Sequence, residues 1–213
     1  AVGSNSLETH NLGSAGDGYN TAVGYNSGLS VTTGIQNTLI GGLAGDALNV
    51  GVENVALGYA SLTTDAKGNY STAIGTFALA AQHFTAVTSA FNTGVGYGAG
   101  SSVTSGIQNT LIGGLAGDAL EDADANVAIG YQALTTDTLG SRSVAVGFSA
   151  LRFQANTSAV ETYNVAVGHA AGEAVTTGTQ NTLIGGLAGD ALNTGVGNTA
   201  VGYLALSTED AHG

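Results

Sequence analysis

Apolar and polar positions alternate along this chain in short bursts, and each burst ends on a glycine. The segment NTAVGY at residues 20–25 is typical: asparagine, then Thr or Val, then a small or aliphatic residue, then Val, Ile or Leu, then glycine. The closing glycines are Gly3, Gly24, Gly41, Gly58, Gly75, Gly96, Gly113, Gly130, Gly147, Gly168, Gly185 and Gly202. Their spacings run 21, 17, 17 and 17 residues, repeat those four values, then run 21, 17 and 17. Three alternating residues followed by a break predict a short β-strand, because side chains of an extended chain point to opposite faces with a period of two. A helical reading fails, since glycines interrupt every apolar run before two helical turns could form.

Three short intervals and one long one make a super-repeat of 72 residues. The phrase IQNTLIGGLAGDAL at 35–48 recurs letter for letter at 107–120, and again at 179–192 with a change only at its first residue. Self-similarity at a fixed period is the mark of stacked repeats. Four residues after each closing glycine stands Leu or Gly in the fixed order Leu7, Gly28, Gly45, Leu62, which then repeats. A second set of glycines seven residues before several of the closing ones (Gly34, Gly51, Gly68, Gly106, Gly140, Gly178, Gly195) suits turns that need positive φ. Each 17-residue unit is therefore expected to be one coil with two short strands and two glycine-bearing turns. The predicted fold is all-β: a parallel β-solenoid or β-roll of about twelve rungs, continuous over 1–213 as a single repeat region.

Coils stacked at the strand spacing of ~4.8 Å would form a rod of roughly 55–60 Å. In that rod Asn20, Asn37, Asn54, Asn92, Asn109, Asn126, Asn164, Asn181 and Asn198 fall in one column. Such a column either forms an amide ladder or simply supplies turn formers. The coil is thin, with few apolar side chains to set against the entropy of ordering it. Several chains are thus expected to bury apolar faces against one another, through the column of Leu43, Leu115 and Leu187 or through the tyrosine column.

Composition narrows the function. Glycine occurs 35 times, and Pro, Cys, Met and Trp are absent. Charged residues make up 8%, yet hydrophobic residues reach 43%, which argues against disorder. A net charge of −12, with Lys67, Arg142 and Arg152 as the only Lys and Arg residues, argues against nucleic acid as a partner. No run approaches the ~18 apolar residues of a membrane span, so membrane insertion is not expected. Without cysteine there is no disulfide framework or thiolate metal site.

The motifs NTAVGY at 20–25 and NVAIGYQAL at 126–134 resemble the head repeats of trimeric autotransporter adhesins. They are closer still to the NTAVGYxAL arrays of phage tail fibres. The resemblance covers the whole chain at the level of the rung, although adhesin-head rungs are usually shorter. It implies a left-handed parallel β-roll, three-fold association of identical chains, and a fragment of a longer fibre. The implied function is the structural shaft of an extracellular tail fibre in a virion, presenting a tip that binds a host cell-surface receptor or glycan. The alternative is a bacterial surface adhesin head that itself binds matrix or surfaces.

Little in the sequence suggests catalysis, and no cofactor is expected. Asp46, Asp118 and Asp190 recur in GGLAGD, but without the tandem nine-residue steps of calcium-binding repeats. Glu121, Asp122 and Asp124 read as a solvated turn, with weak cation binding as the other option. No carboxylate pair stands out as a glycosidase would require. His10, His83, His169 and His212 share no ligand spacing. Thr32-Thr33, Thr63-Thr64 and Thr135-Thr136 suggest an ice-binding array, but they do not occur on every coil. The long rungs, residues 80–91 and 152–163, carry four extra residues each and hold the candidate surface contacts His83, Phe84, Arg152 and Phe153. These loops either bind a partner or pack as a cap, and the aromatics before Asn (Tyr19, Phe91, Tyr163) favour packing.

Overall fold

In the computed structural model, which describes residues 1–13 and 16–207, the chain is an all-β parallel solenoid. Eleven three-residue strands, one per coil, form a single parallel sheet. They are β1 (Thr21–Val23), β2 (Thr38–Ile40), β3 (Val55–Leu57), β5 (Thr72–Ile74), β7 (Thr93–Val95), β8 (Thr110–Ile112), β9 (Val127–Ile129), β11 (Val144–Val146), β13 (Val165–Val167), β14 (Thr182–Ile184) and β15 (Thr199–Val201). Two-residue strands β4 (Gly68–Asn69) and β6 (Thr88–Ser89) pair beside one long rung, and β10 (Gly140–Ser141) and β12 (Val160–Glu161) beside the next. Of the twelve expected rungs, the first contributes only the bridge Val2↔Val23, so the sheet has eleven strands. The expected second strand of each coil is confined to these two short pairs. Elsewhere that side stacks through isolated bonds such as Gly28 N–H to Ala44 O at 2.9 Å, because left-handed residues turn the chain too often for a strand to extend.

Every coil bends at the same places. The closing glycines sit at φ near +126 to +141, as at Gly113 (+132). A Cβ on Gly113 would lie 2.5 Å from the Gly130 carbonyl oxygen of the next coil, so the position admits only glycine. Two and four residues later, and five residues earlier, the backbone is also left-handed, whatever the side chain: Leu115 has φ 56, Leu134 φ 55 and Gln108 φ 61. Each such non-glycine residue costs about 1–2 kcal/mol and persists because coils on both sides fix its hydrogen bonds. The glycines seven residues before the closing ones serve a different purpose from the one expected, since none has a left-handed φ. They allow close approach: a Cβ on Gly34 would meet the Gly51 carbonyl oxygen at 2.5 Å.

The core explains the fixed order of Leu and Gly. The middle residue of each strand points inward, as at Ala22, Leu39, Ala56 and Leu111, all fully buried. Where that residue is Leu, the position four after the closing glycine is Gly: a Cβ on Gly45 would lie 2.8 Å from Leu39 Cδ2. The preceding coil also has Gly there, and a Cβ on Gly28 would meet Leu39 Cδ1 at 2.7 Å and Leu7 Cδ2 at 3.0 Å. Leucines of adjoining coils thus fill the space that two glycines leave, at the close packing typical of protein interiors. Four coils are needed to complete this exchange of volume, and the super-repeat has that length.

The asparagine column is an amide ladder. Asn37 Oδ1 accepts the Asn54 backbone N–H at 2.9 Å, and Asn54 Oδ1 accepts that of Ser71 at 2.9 Å. Each Nδ2 donates to a carbonyl one coil on, as Asn54 Nδ2 does to Gly68 O at 2.9 Å. Buried polar groups are costly unless bonded. Here each amide satisfies its own atoms and the backbone of its neighbours.

Candidate functional site: an apolar sheet face and two long rungs

Because the strand centres point inward, the flanking residues point out. The main sheet therefore shows solvent two columns, one of Thr or Val and one of Val, Ile or Leu, and its eleven strands contain no charged residue. Leu57, Ile112, Val167 and Ile184 are among those counted as exposed. This apolar stripe runs the length of the sheet. Leu43, Leu115 and Leu187, one column expected to supply an inter-chain surface, are half-buried. The stripe follows from the alternation within each strand, since three residues give two outward positions for each inward one.

Beside the stripe, just past the closing glycines, stands the aromatic column. Tyr59 and Phe77 pack edge to face with centroids 5.7 Å apart, and Phe77 packs likewise on Tyr97 at 6.3 Å. Further along, Tyr131, Phe148 and His169 stack with centroid distances of 5.6 and 5.3 Å. His169 is thus one ring in a stack, in keeping with its place in the tyrosine column.

The long rungs hold the buried polar chemistry. At Ser71 and Ser143 the ladder meets a side chain too short to continue it, and a glutamine from the long rung takes over. Gln82 Nε2 donates to Ser71 Oγ at 2.9 Å and to Asp65 Oδ2 at 2.6 Å, while its Oε1 accepts from Asn92 Nδ2 at 2.9 Å. Gln154 repeats the arrangement with Ser143, Asp137 and Asn164. All eight side chains are buried. Asp65 Oδ1 also accepts the Gly68 N–H at 2.9 Å, and Asp137 Oδ1 the Asn156 N–H at 2.8 Å. His10 occupies the corresponding slot in the first long rung, with Nε2 3.0 Å from Asn20 Nδ2. The sequence did carry a signal for this relay: each break in the asparagine column is followed eleven residues later by Gln.

The four candidate surface contacts do not form one site. Phe84 is only 5% exposed and lies against Gly68, where a Cβ would meet its ring at 2.9 Å. It therefore plugs the coil rather than facing a partner, because an apolar ring gains more from burial than from solvent. His83 is exposed, with Nδ1 3.2 Å from Thr64 O. Arg152 lies over the exposed Phe153 ring at 5.0 Å and 3.6 Å from Glu173. His83 and Arg152 belong to different long rungs, 69 positions apart in the chain.

Several carboxylates are engaged locally, whereas the buried Asp190 Oδ1 has no hydrogen-bond partner among the described residues. The Thr63 and Thr135 hydroxyls donate to Asp46 and Asp118, each across one coil. Burial raises the Asp118 carboxyl above the usual carboxylate range, and the Thr135 hydroxyl offsets part of that rise. Asp122 accepts from Ser105 Oγ at 2.8 Å and Asp124 from the Ile107 N–H at 2.8 Å, so the acidic turn is tied to the preceding coil. Glu161 is held below its ordinary range chiefly by the Tyr163 hydroxyl and further by Arg142, and Glu161 in turn raises Tyr163. The paired threonines are similarly occupied, with Thr64 Oγ1 donating to Ala80 O at 2.7 Å and Thr136 Oγ1 to Arg152 O at 2.6 Å. Among the described residues, no three His, Asp or Glu side chains converge as metal ligands would. No protein-family model, curated protein or solved structure matches this chain.

Proposed function

We propose that this chain is the structural shaft of an extracellular fibre, most simply a phage tail fibre in which three identical chains associate and present a tip that binds a host receptor or glycan. The observation that carries this reading is the uncharged Thr/Val and Val/Ile/Leu stripe along eleven coils. A face that is uncharged, continuous and apolar along one column invites burial against a copy of itself, and patches of that kind mark interaction surfaces. Each chain carries a net charge of −12, and the stripe brings none of its carboxylates into such a contact. A shaft also needs uniform coils rather than a cleft, which the repeating core supplies. Its location would accordingly be the virion or another extracellular surface.

The test is the mass in solution. Light scattering on the purified chain is expected to give three times the chain mass of 20.7 kDa. The paired substitution Ile112→Asp with Val146→Asp, which places two charges on the stripe, is expected to give monomers. A wild-type monomer at micromolar concentration would overturn the reading.

A further inference from the structure

The aromatic column has a rhythm that neither the core nor the apolar stripe requires. Tyr25, Tyr59, Tyr97 and Tyr131 follow β1, β3, β7 and β9, which are the first, third, fifth and seventh strands of the sheet. A tyrosine thus stands on every second coil, at intervals of about 9.6 Å for two strand spacings. The coils between carry Gly42, Thr76 and Gly114 in the same column, and next to Thr76 the Phe77 ring packs between Tyr59 and Tyr97. The small residue gives clearance, since a Cβ on Gly42 would lie 3.5 Å from the Tyr59 ring and one on Gly114 3.3 Å from the Tyr131 ring. The four rings are 48–60% exposed. Beside Tyr97 the column opens into a cavity of about 260 Å³ between Phe77 and Leu115, over Gly98 and Ala80, with Ser101 at its edge. No residue lining it is charged. The super-repeat copies its neighbourhood but not its chemistry, for 72 positions on stand Arg152 and Glu173 in place of Ala80 and Ser101.

We propose that this tyrosine track binds a neutral, extended β-1,4-linked glucan chain lying along the rod, with the cavity beside Tyr97 holding one sugar ring. In such a chain each ring advances by about one strand spacing and turns over at each linkage. Every second ring therefore shows the same face to the track, and because each ring advances slightly more than a strand spacing, the match holds over neighbouring tyrosines rather than the whole track. The apolar C–H face of a pyranose packs on an aromatic ring, while hydroxyls such as those of Tyr97 and Ser101 supply hydrogen bonds at its edge. Charge selects against acidic glycans: the track holds no cation, and the chain carries −12 overall. A curled α-1,4-linked chain does not keep the period. Contacts repeated along one chain add through effective concentration, so binding strengthens with length. The proposal assigns a ligand to the shaft itself and does not depend on three-fold association.

The test is calorimetric titration of the purified chain with cellohexaose, cellobiose and maltohexaose, followed in parallel by tyrosine emission, which no tryptophan obscures. Cellohexaose is expected to bind at least tenfold more tightly than cellobiose, and maltohexaose not to bind measurably. Tyr97→Ala is expected to weaken cellohexaose binding at least tenfold. Tyr203→Ala, beyond the interruption by Phe148 and His169, is expected to leave it unchanged. Because these rings are exposed, both variants should keep the wild-type circular dichroism and melting temperature. Failure of cellohexaose to bind, equal binding of maltohexaose, or equal effects of the two variants would overturn the proposal. Loss of oligomer mass in Tyr97→Ala without glucan binding by the wild type would overturn it in favour of a second copy as the occupant. A monomeric wild type that binds cellohexaose would sink the trimeric shaft and leave the track standing.

Discussion

The two long rungs at residues 80–91 and 152–163 share a backbone plan and an interior but differ in their outer layer. Inside, Gln82 makes the same three bonds with Asp65, Ser71 and Asn92 as Gln154 makes with Asp137, Ser143 and Asn164. The plug differs: Phe84 fills one rung, while in the other Asn156 reaches Asp137 through its backbone N–H at 2.8 Å. On the surface the contrast is wider. Tyr70 stacks on Phe91 at 5.0 Å in the first rung, whereas Arg142 pairs with Glu161 at 2.9 Å beside Tyr163 in the second. Continuing the amide ladder across four extra residues admits few solutions, because a buried amide or carboxylate without a partner is heavily penalised. Water satisfies the outer groups of either rung, so their chemistry is free to change.

The largest effect is expected from breaking the rhythm in which both long rungs sit. Deleting residues 42–58 removes one coil and leaves the anchor spacing and the asparagine column intact. It also brings Leu62 into the space Gly45 held against Leu39, where even a Cβ lies 2.8 Å from Leu39 Cδ2. Overpacking of this kind costs about 1–3 kcal/mol or more. The thin coil offers few ways to relax, so loss of cooperative melting by circular dichroism is expected. Deleting residues 42–113 removes a whole super-repeat and is expected to leave a shorter rod with a cooperative transition. Equal behaviour of the two deletions would refute the four-coil packing unit.

The plugs come next. Phe84→Ala is expected to cost about 3–5 kcal/mol in urea denaturation, as for other buried aromatic rings. Asn156→Ala keeps the backbone bond to Asp137 and is expected to cost only about 1 kcal/mol. Similar losses would mean that the two rungs close in the same way after all. The relays should differ in the same sense: Gln82→Leu strands Asp65 Oδ2, and about 3 kcal/mol is expected, whereas Gln154→Leu leaves Asp137 Oδ2 the longer bond from Asn156 Nδ2 at 3.4 Å and is expected to cost less. Equal losses would show that the Asn156 amide does not serve Asp137.

The smallest effect is electrostatic. Glu161 is depressed by Tyr163 and Arg142, so its contribution to stability is present above the ordinary glutamate pKa and is lost as pH falls through its lower folded value. Asp118 is raised by burial and has the opposite sign: its cost to the fold appears as pH rises from the ordinary aspartate value through its raised one. Carboxyl chemical shifts followed from pH 2 to pH 7 are expected to place Asp118 above the usual range for aspartate and Glu161 below that for glutamate. Tyr163→Phe is expected to move Glu161 upward and leave Asp118 alone. Stability itself should hardly register Tyr163→Phe, because the pair is exposed to solvent.

The rungs were legible in the sequence because glycine is obligatory where one coil's Cβ would strike the next coil's carbonyl, as at Gly113. The ladder was half legible: the column was visible, but nothing local distinguishes an amide that stacks from one that only turns the chain. Phe84 was misplaced outside, since a single aromatic in a long loop has no periodicity to reveal its direction. The relay escaped notice because Ser71 and Gln82 lie eleven positions apart and meet only when the turn closes across the interior.

By itself, then, the sequence determined the period, the parallel stacking and the columns, because each coil repeats the same local constraints on φ and on alternation. Only the tertiary structure decided which side of each strand faces the core, why Leu and Gly take turns over four coils, and how glutamine bridges the breaks in the ladder. Those outcomes depend on distances between neighbouring coils, and a chain read residue by residue contains no such distances until its coils are stacked.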